Sequence, residues 1–279
     1  HLKALEEELG VVLFQRLNSG MVSTSAGEML RPIADKALAA VGEFASLAQT
    51  LRGGVAGAVR LGTIIDPEFL RLGQFLRTMI ERHPLVRIET QHGISGWVRE
   101  SVAAGQFDAG FCLGENDAPN VTQVPLARVP YRIVGPFSWR EQIACADWQA
   151  LAELPWIWTS QLSSHNRIVV EVFRAQGLEP RKKMVVGVQE AFMKSLVMAG
   201  VGLSLMREDL AELAQAGGEV ALWPTARLFL PLSFAFRTER ASEPVLVAMA
   251  SAVRATWPLP EPLLPQRSIE ISDSAPQDL

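Results

Sequence analysis

Cysteine is almost absent, with only Cys112 and Cys145 in 279 residues. Two thiols give no disulfide framework, and Cys112 lies in the apolar run Phe111-Cys112-Leu113, where a buried thiol is expected. Histidine is nearly as scarce. His1, His83, His92 and His165 are scattered without partners at metal-ligand spacing, so neither a metal nor a cofactor is expected. No basic excess exists either. Lys and Arg number 26 against 30 Asp and Glu, and a net charge of −4 excludes a wholesale nucleic-acid coat. A small DNA-reading segment remains compatible with that balance.

Long apolar runs are missing, since none approaches the roughly 18 residues of a membrane span. No signal peptide opens the chain, so a cytoplasmic protein without a membrane partner is expected. Catalytic constellations are missing as well. Ser164-His165 are neighbours without a G-x-S-x-G elbow around them. Gly200-Val201-Gly202 lacks the third glycine of a dinucleotide turn and falls between a helix and a strand. Glu6-Glu7-Glu8 reads as a solvated helix face rather than a catalytic pair. No catalytic residue is therefore expected.

What is present is a hydrophobic content of 48%, ample for packed cores. The opening thirty residues carry the most distinctive wording. Leu5-Glu6-Glu7-Glu8-Leu9-Gly10-Val11-Val12-Leu13-Phe14-Gln15-Arg16 reads as a helix stopped at Gly10 and then a short strand. Asn18-Ser19-Gly20 turns the chain back through Met21-Val22, and Thr24 opens a second helix. The phrase L-E-x-x-L-G-x-x-L-F-x-R, followed by T-x-A-G at Thr24, Ala26 and Gly27, resembles the LysR-type family of bacterial transcription regulators. The resemblance implies the rear half of a winged helix-turn-helix over residues 1–23, with the preceding helices truncated. It also implies promoter DNA as a partner of the intact protein, with RNA polymerase a further one. Lys3 on the helix stub and Arg16 on the wing are then the candidate DNA contacts. Plain solvated charge is the competing reading for both.

Residues 24–54 read as a linker helix. Leu30, Ala34, Ala37, Val41, Phe44, Ala48 and Leu51 recur in alternating steps of four and three, the pattern of a pairing seam. Pro32 is expected to bend it. In the family such helices pair between subunits, which implies a homodimer or homotetramer. One helix packed on its own domain is the alternative. Arg52-Gly53-Gly54 then breaks the helix.

From residue 58 to 257 strands and helices alternate, the rhythm of parallel α/β units. Strands are expected at 59–64, 86–90, 107–113, 131–134, 156–158, 183–188, 203–206, 220–223 and 229–236. A helix is expected to start at Asp66-Pro67-Glu68. Gly105-x-Phe107-Asp108-x-Gly110-Phe111 and Ala199-Gly200-Val201-Gly202-Leu203 resemble family phrases. The implied architecture is a two-lobed effector domain of periplasmic-binding-protein type. Lobe 1 is expected over 58–130 and 230–257, and lobe 2 over 132–228. The Pro- and Ser-rich tail, 258–279, shows no burial pattern and is expected to lack structure.

Open α/β sheets bind ligands beyond the carboxyl ends of their strands. That rule, with the family's habit of holding a small effector between lobes, selects four loops. Their candidate contacts are Thr63, Ile65 and Asp66, then Ser95 and Gly96, then Thr159 and Ser160, and finally Gln189. Hydroxyls can both donate and accept, although Ser95 and Asp66 are equally good helix caps. If the Asp66 carboxylate faces the cleft, it disfavours an anionic effector there. Trp97, Trp156 and Trp158 could stack on a ligand or pack a core. A solute-binding protein of the same fold is the alternative function. It would have no use for residues 1–54.

Overall fold

The computed structural model describes residues 2–17, 20–50, 54–64, 66–115, 118–185, 190–257 and 269–271. These divide into two compact units, one of residues 1–58 with 85–87 and one of the remainder.

In the first unit α1 (Leu2–Leu9) is followed by β1 (Phe14–Leu17) and β2 (Gly20–Ser23), an antiparallel pair, and by α2 (Ser25–Thr50). The family wording has a local cause. Glu6 Oε1 accepts from the Leu13 and Phe14 amides at 2.7 and 3.0 Å, fixing the exit from α1. Thr24 caps α2, since its Oγ1 accepts from the Gly27 amide at 3.1 Å and donates to the Val12 carbonyl at 2.7 Å. A Cβ at Gly27 would stand 2.4 Å from the Leu13 carbonyl oxygen, so only glycine lets α2 lie this close. Lys3 is exposed and faces Glu7 at 3.8 Å. Arg16 lies on β1, described by its backbone alone.

Along α2, Leu30 is half-buried, while Ala34, Ala37, Val41 and Phe44 are exposed. Met29, Ile33 and Leu38 are exposed too. Ala48 is described by its backbone alone, and Leu51 lies outside the described residues.

The second unit is two-lobed. Strand β3 (Ala56–Thr63), helix α3 (Leu72–Arg82), strand β4 (Leu85–His92), helix α4 (Ser95–Ala103) and strand β5 (Ala109–Leu113) build the first lobe. Strand β6 (Val121–Pro136) crosses out of it. The second lobe holds α5 (Arg140–Ala144), α6 (Trp148–Glu153), β7 (Pro155–Trp158), α7 (Ser164–Ala175), β8 (Lys182–Val185), α8 (Glu190–Met198), β9 (Ser204–Arg207), α9 (Glu208–Ala216) and β10 (Val220–Leu222). Strand β11 (Ala226–Arg237) returns, and α10 (Pro244–Thr256) packs on α3.

Among the described residues the main sheet runs β10-β6-β11-β5-β3-β4, with β9 also on β6. Strands β3 and β5 are parallel, whereas β6 and β11 are antiparallel from Val121↔Arg237 to Tyr131↔Leu228. Strands β7 and β8 form a parallel pair, tied to β9 by a bridge between Trp156 and Leu203. The first lobe's core centres on Phe75, Phe111 and Phe234, with ring centroids 5.3 to 6.2 Å apart. The second lobe's core stacks Trp148 edge-on to Trp223 and Phe173, with Trp156 edge-on to Phe173.

Three features depart from the sequence reading. The helix expected from Asp66 begins at Leu72, because residues 67–71 form a separate turn. Arg71 ends that turn at φ 51°, and its guanidinium bonds the Thr256 carbonyl at 2.9 Å over the Trp257 ring. That tertiary anchor supports a backbone conformation which a non-glycine residue rarely adopts. Strand β6 begins ten residues before the expected Tyr131, through a stretch that includes Pro125 and Pro130, which have no N–H to give to a ladder. In the segment expected to lack structure, β12 (Ile269–Ile271) pairs antiparallel with β11.

Candidate effector site

The loops beyond β3, β4 and β7 meet. The Gly93 amide donates to the Thr63 carbonyl at 2.9 Å, joining the first loop to the second. The Gly96 amide, at the start of α4, donates to the Leu162 carbonyl at 2.9 Å, joining lobe 1 to lobe 2. A Cβ at Gly96 would lie 2.3 Å from that oxygen, so glycine is what admits the lobe 2 backbone here. Ser164 Oγ adds a second tie, donating to the Leu113 carbonyl at 2.5 Å. Arg99 and Arg167 both donate to the Glu115 carbonyl.

Most of the sequence-selected residues thus fall in one neighbourhood. Thr63 is buried and its hydroxyl donates to Gln91 O at 3.2 Å. Ser95 is buried and its Oγ accepts from the Leu113 amide at 3.1 Å, which leaves its own proton for another acceptor. Thr159 is buried, with its carbonyl held by Asn166 Nδ2 at 2.7 Å. Ser160 is exposed and its Oγ accepts from the Leu162 amide at 3.3 Å. Asp66 accepts from the Glu68 amide at 2.8 Å through Oδ1, the cap geometry, while Oδ2 lies 3.8 Å from Arg207 Nη2. Ile65 and Gln189 lie outside the described residues. The tryptophans take packing roles. Trp97 meets Phe107 edge-on at 5.0 Å, and buried Trp156 donates to the Leu151 carbonyl at 2.8 Å. Trp158 is buried and lines a small hollow with Thr159, His165 and Ser204.

Two neighbours of this region were not singled out from sequence. His165, in the first turn of α7, packs edge-on against Tyr131 at 4.7 Å. Burial lowers its pKa from 6.5 to about 4, so the ring is neutral at physiological pH. Arg207, at the end of β9, is 3% exposed and lies 4.0 Å over the Phe69 ring. Its Nε and Nη2 donate to the two oxygens of Asp209 at 2.7 and 2.9 Å. Sequence spacing alone does not reveal what the charged triplet Arg207-Glu208-Asp209 reaches. Among the described residues no His, Cys, Asp and Glu cluster could hold a metal. No described helix is long and apolar enough to cross a membrane.

The profile described as the LysR substrate binding domain matches residues 52–258. The chain belongs to the LysR family. It is a LysR-type transcriptional regulator with an effector-binding domain, and the match favours that reading over the solute-binding one. The uncharacterized HTH-type transcriptional regulator YusT of Bacillus subtilis (strain 168) is 26% identical over 223 residues, covering 80% of this chain and 73% of YusT. The HTH-type transcriptional regulator TcbR of Pseudomonas sp. (strain P51) is 26% identical over 259 residues, covering 91% of this chain and 86% of TcbR. In fold, the chain resembles full-length CbnR complexed with its target DNA, with a TM-score of 0.63 and 22% identity over 91% of this chain and 87% of that one. It also resembles the effector binding domain of QuiR in complex with shikimate, with a TM-score of 0.59 and 18% identity over 73% of this chain and 98% of that one.

Proposed function

We propose that this LysR-type regulator takes a small-molecule effector between its two lobes, against Thr63, Asp66, Ser95, Thr159 and Ser160. The observation that carries the reading is the meeting of strand-end loops from both lobes, stitched by Gly96 to Leu162. Such a site senses a ligand because its walls belong to bodies that, among the described residues, the crossing strands β6 and β11 join. Regulation requires the effector to bind two lobe arrangements with different affinity.

In the same reading Lys3 contacts a DNA phosphate or a base edge and Arg16 a phosphate, and α2 pairs with a second copy of the chain through Leu30, Ala34, Ala37, Val41 and Phe44. The exposure of Val41 at 66% and Phe44 at 76% supports that pairing, since an apolar helix face of this kind gains by burial. The protein acts in the cytoplasm, where its DNA is, and has no catalytic role. The neutral rings and hydroxyls near Thr159 and His165 favour an effector that carries hydrogen-bonding groups rather than a strong negative charge.

A thermal-shift screen of small metabolites tests the effector site. Binding to the folded state alone raises the melting temperature by mass action, and a hit should be weakened by Thr159→Val. A hit of undiminished affinity in that variant, and in Ser160→Ala, would place the effector elsewhere.

A further inference from the structure

We propose that Arg207 is an interlobe latch that holds the effector crevice closed before any ligand enters. The inference rests on the interlobe reading of the effector site and names how that site is regulated.

Three contacts converge on this side chain. Asp209 holds one edge of the guanidinium through two hydrogen bonds, which fixes its direction from the start of α9. From there the group crosses to lobe 1, where it covers the face of Phe69 at 4.0 Å and approaches Asp66 Oδ2 at 3.8 Å. Phe69 in turn meets Trp257 edge-on at 6.1 Å, and Trp257 donates to the Leu70 carbonyl at 3.3 Å. Lobe 2 therefore grips the turn 67–71, the segment whose strained Arg71 anchors it to the end of α10.

The next residue ties down the axis of movement. Glu208 accepts from Arg132 on β6 and from Arg227 on β11, so both crossing strands are clamped to the same helix start. Consecutive residues thus address the moving wall and the hinge. A change in one is passed to the other through a single turn of backbone.

A ligand meets a crevice whose walls are already joined. It enters when the latch opens, and its apparent affinity is reduced by the fraction of molecules that are open. Arg207 is buried at 3%, whereas the Asp66 side chain is 43% exposed, so Asp66 is the end that can let go.

The latch is tested without any effector by measuring the distance between lobes. Spin labels on native Cys145, exposed in lobe 2, and on Ser251→Cys, exposed on α10 of lobe 1, report it by double electron–electron resonance. Spin-labelled protein is diluted with unlabelled protein so that pairs within one chain are read. The expected result is a shift to longer distance and a wider distribution in Asp66→Asn, which keeps the cap geometry and loses the charge. Phe69→Leu should move the distribution in the same direction while retaining the apolar wall. Distributions in both variants that superimpose on the parent would overturn the latch, whatever the thermal-shift screen finds. Ligand hits with unmoved distances would leave the effector site standing and remove the latch. Moved distances without hits would do the reverse.

Discussion

At position 27 a hydrogen in place of a methyl group decides whether the first turn of α2 can lie against Leu13. The obstacle is a backbone oxygen at 2.4 Å, which cannot rotate away. Gly27→Ala should therefore destabilise the N-terminal unit by about 1–3 kcal/mol, the range for overpacking, read as a lower calorimetric midpoint for that unit. The same scale sets two chemical predictions. Burial pushes the Cys112 thiol up to about 12, although the charge of Arg99 pulls it back slightly. A thiol reagent at pH 8 should thus modify Cys145 in the native protein and Cys112 only after denaturant is added. His165 has a folded pKa of about 4 against 6.5 when unfolded. Its lowered pKa means that the unfolded chain binds the proton first, so stability is full above pH 6.5 and is lost as pH falls towards 4. The loss is about 3 kcal/mol across that window. His165→Gln should flatten this limb of a stability–pH curve, and an unchanged slope would assign the titration to another group.

Elements were read from sequence where period and punctuation agreed. Helix α9 runs from Glu208 to Ala216, where the local punctuation is plain: two acidic residues open it and Gly217-Gly218 follow. Helix α3 starts later than the sequence predicts, because Asp66-Pro67-Glu68 opens a turn that Arg71 closes after a few residues. What stops it is the carbonyl of Thr256, 185 residues away in sequence, and no local pattern contains that partner. Strand β6 runs through Pro125 and Pro130, residues that a strand pattern does not call for, and β12 is too short to show a period. For α2 the heptad spacing belongs to one chain's sequence, and the pairing proposed from it is tested by assembly. Val41→Glu or Phe44→Glu should lower self-association at micromolar concentration in light scattering by placing a charge in the apolar face. Unaltered assembly would move the contact to another surface.

At the scale of the whole molecule the decisive group is Glu208, which joins β6, β11 and α9. Burial raises its pKa, yet hydrogen bonds from Arg227 and Arg132 outweigh that and leave the carboxyl below its usual 4.5. Its contribution is present above that value and is lost as pH falls through the lowered folded pKa. Glu208→Gln should cost about 1–3 kcal/mol in thermal unfolding, since two charge-assisted partners lose their acceptor charge. The sequence by itself determined the family, the alternation of α and β and the strand pair after α1, and it nominated the loops proposed for a ligand. Those follow from short-range spacing, caps and turn residues. Tertiary structure alone decided which side chains in those loops are already engaged, where Arg207 reaches and why Arg71 breaks a helix. Such choices depend on groups brought together by the crossing strands, and sequence distance carries no record of them.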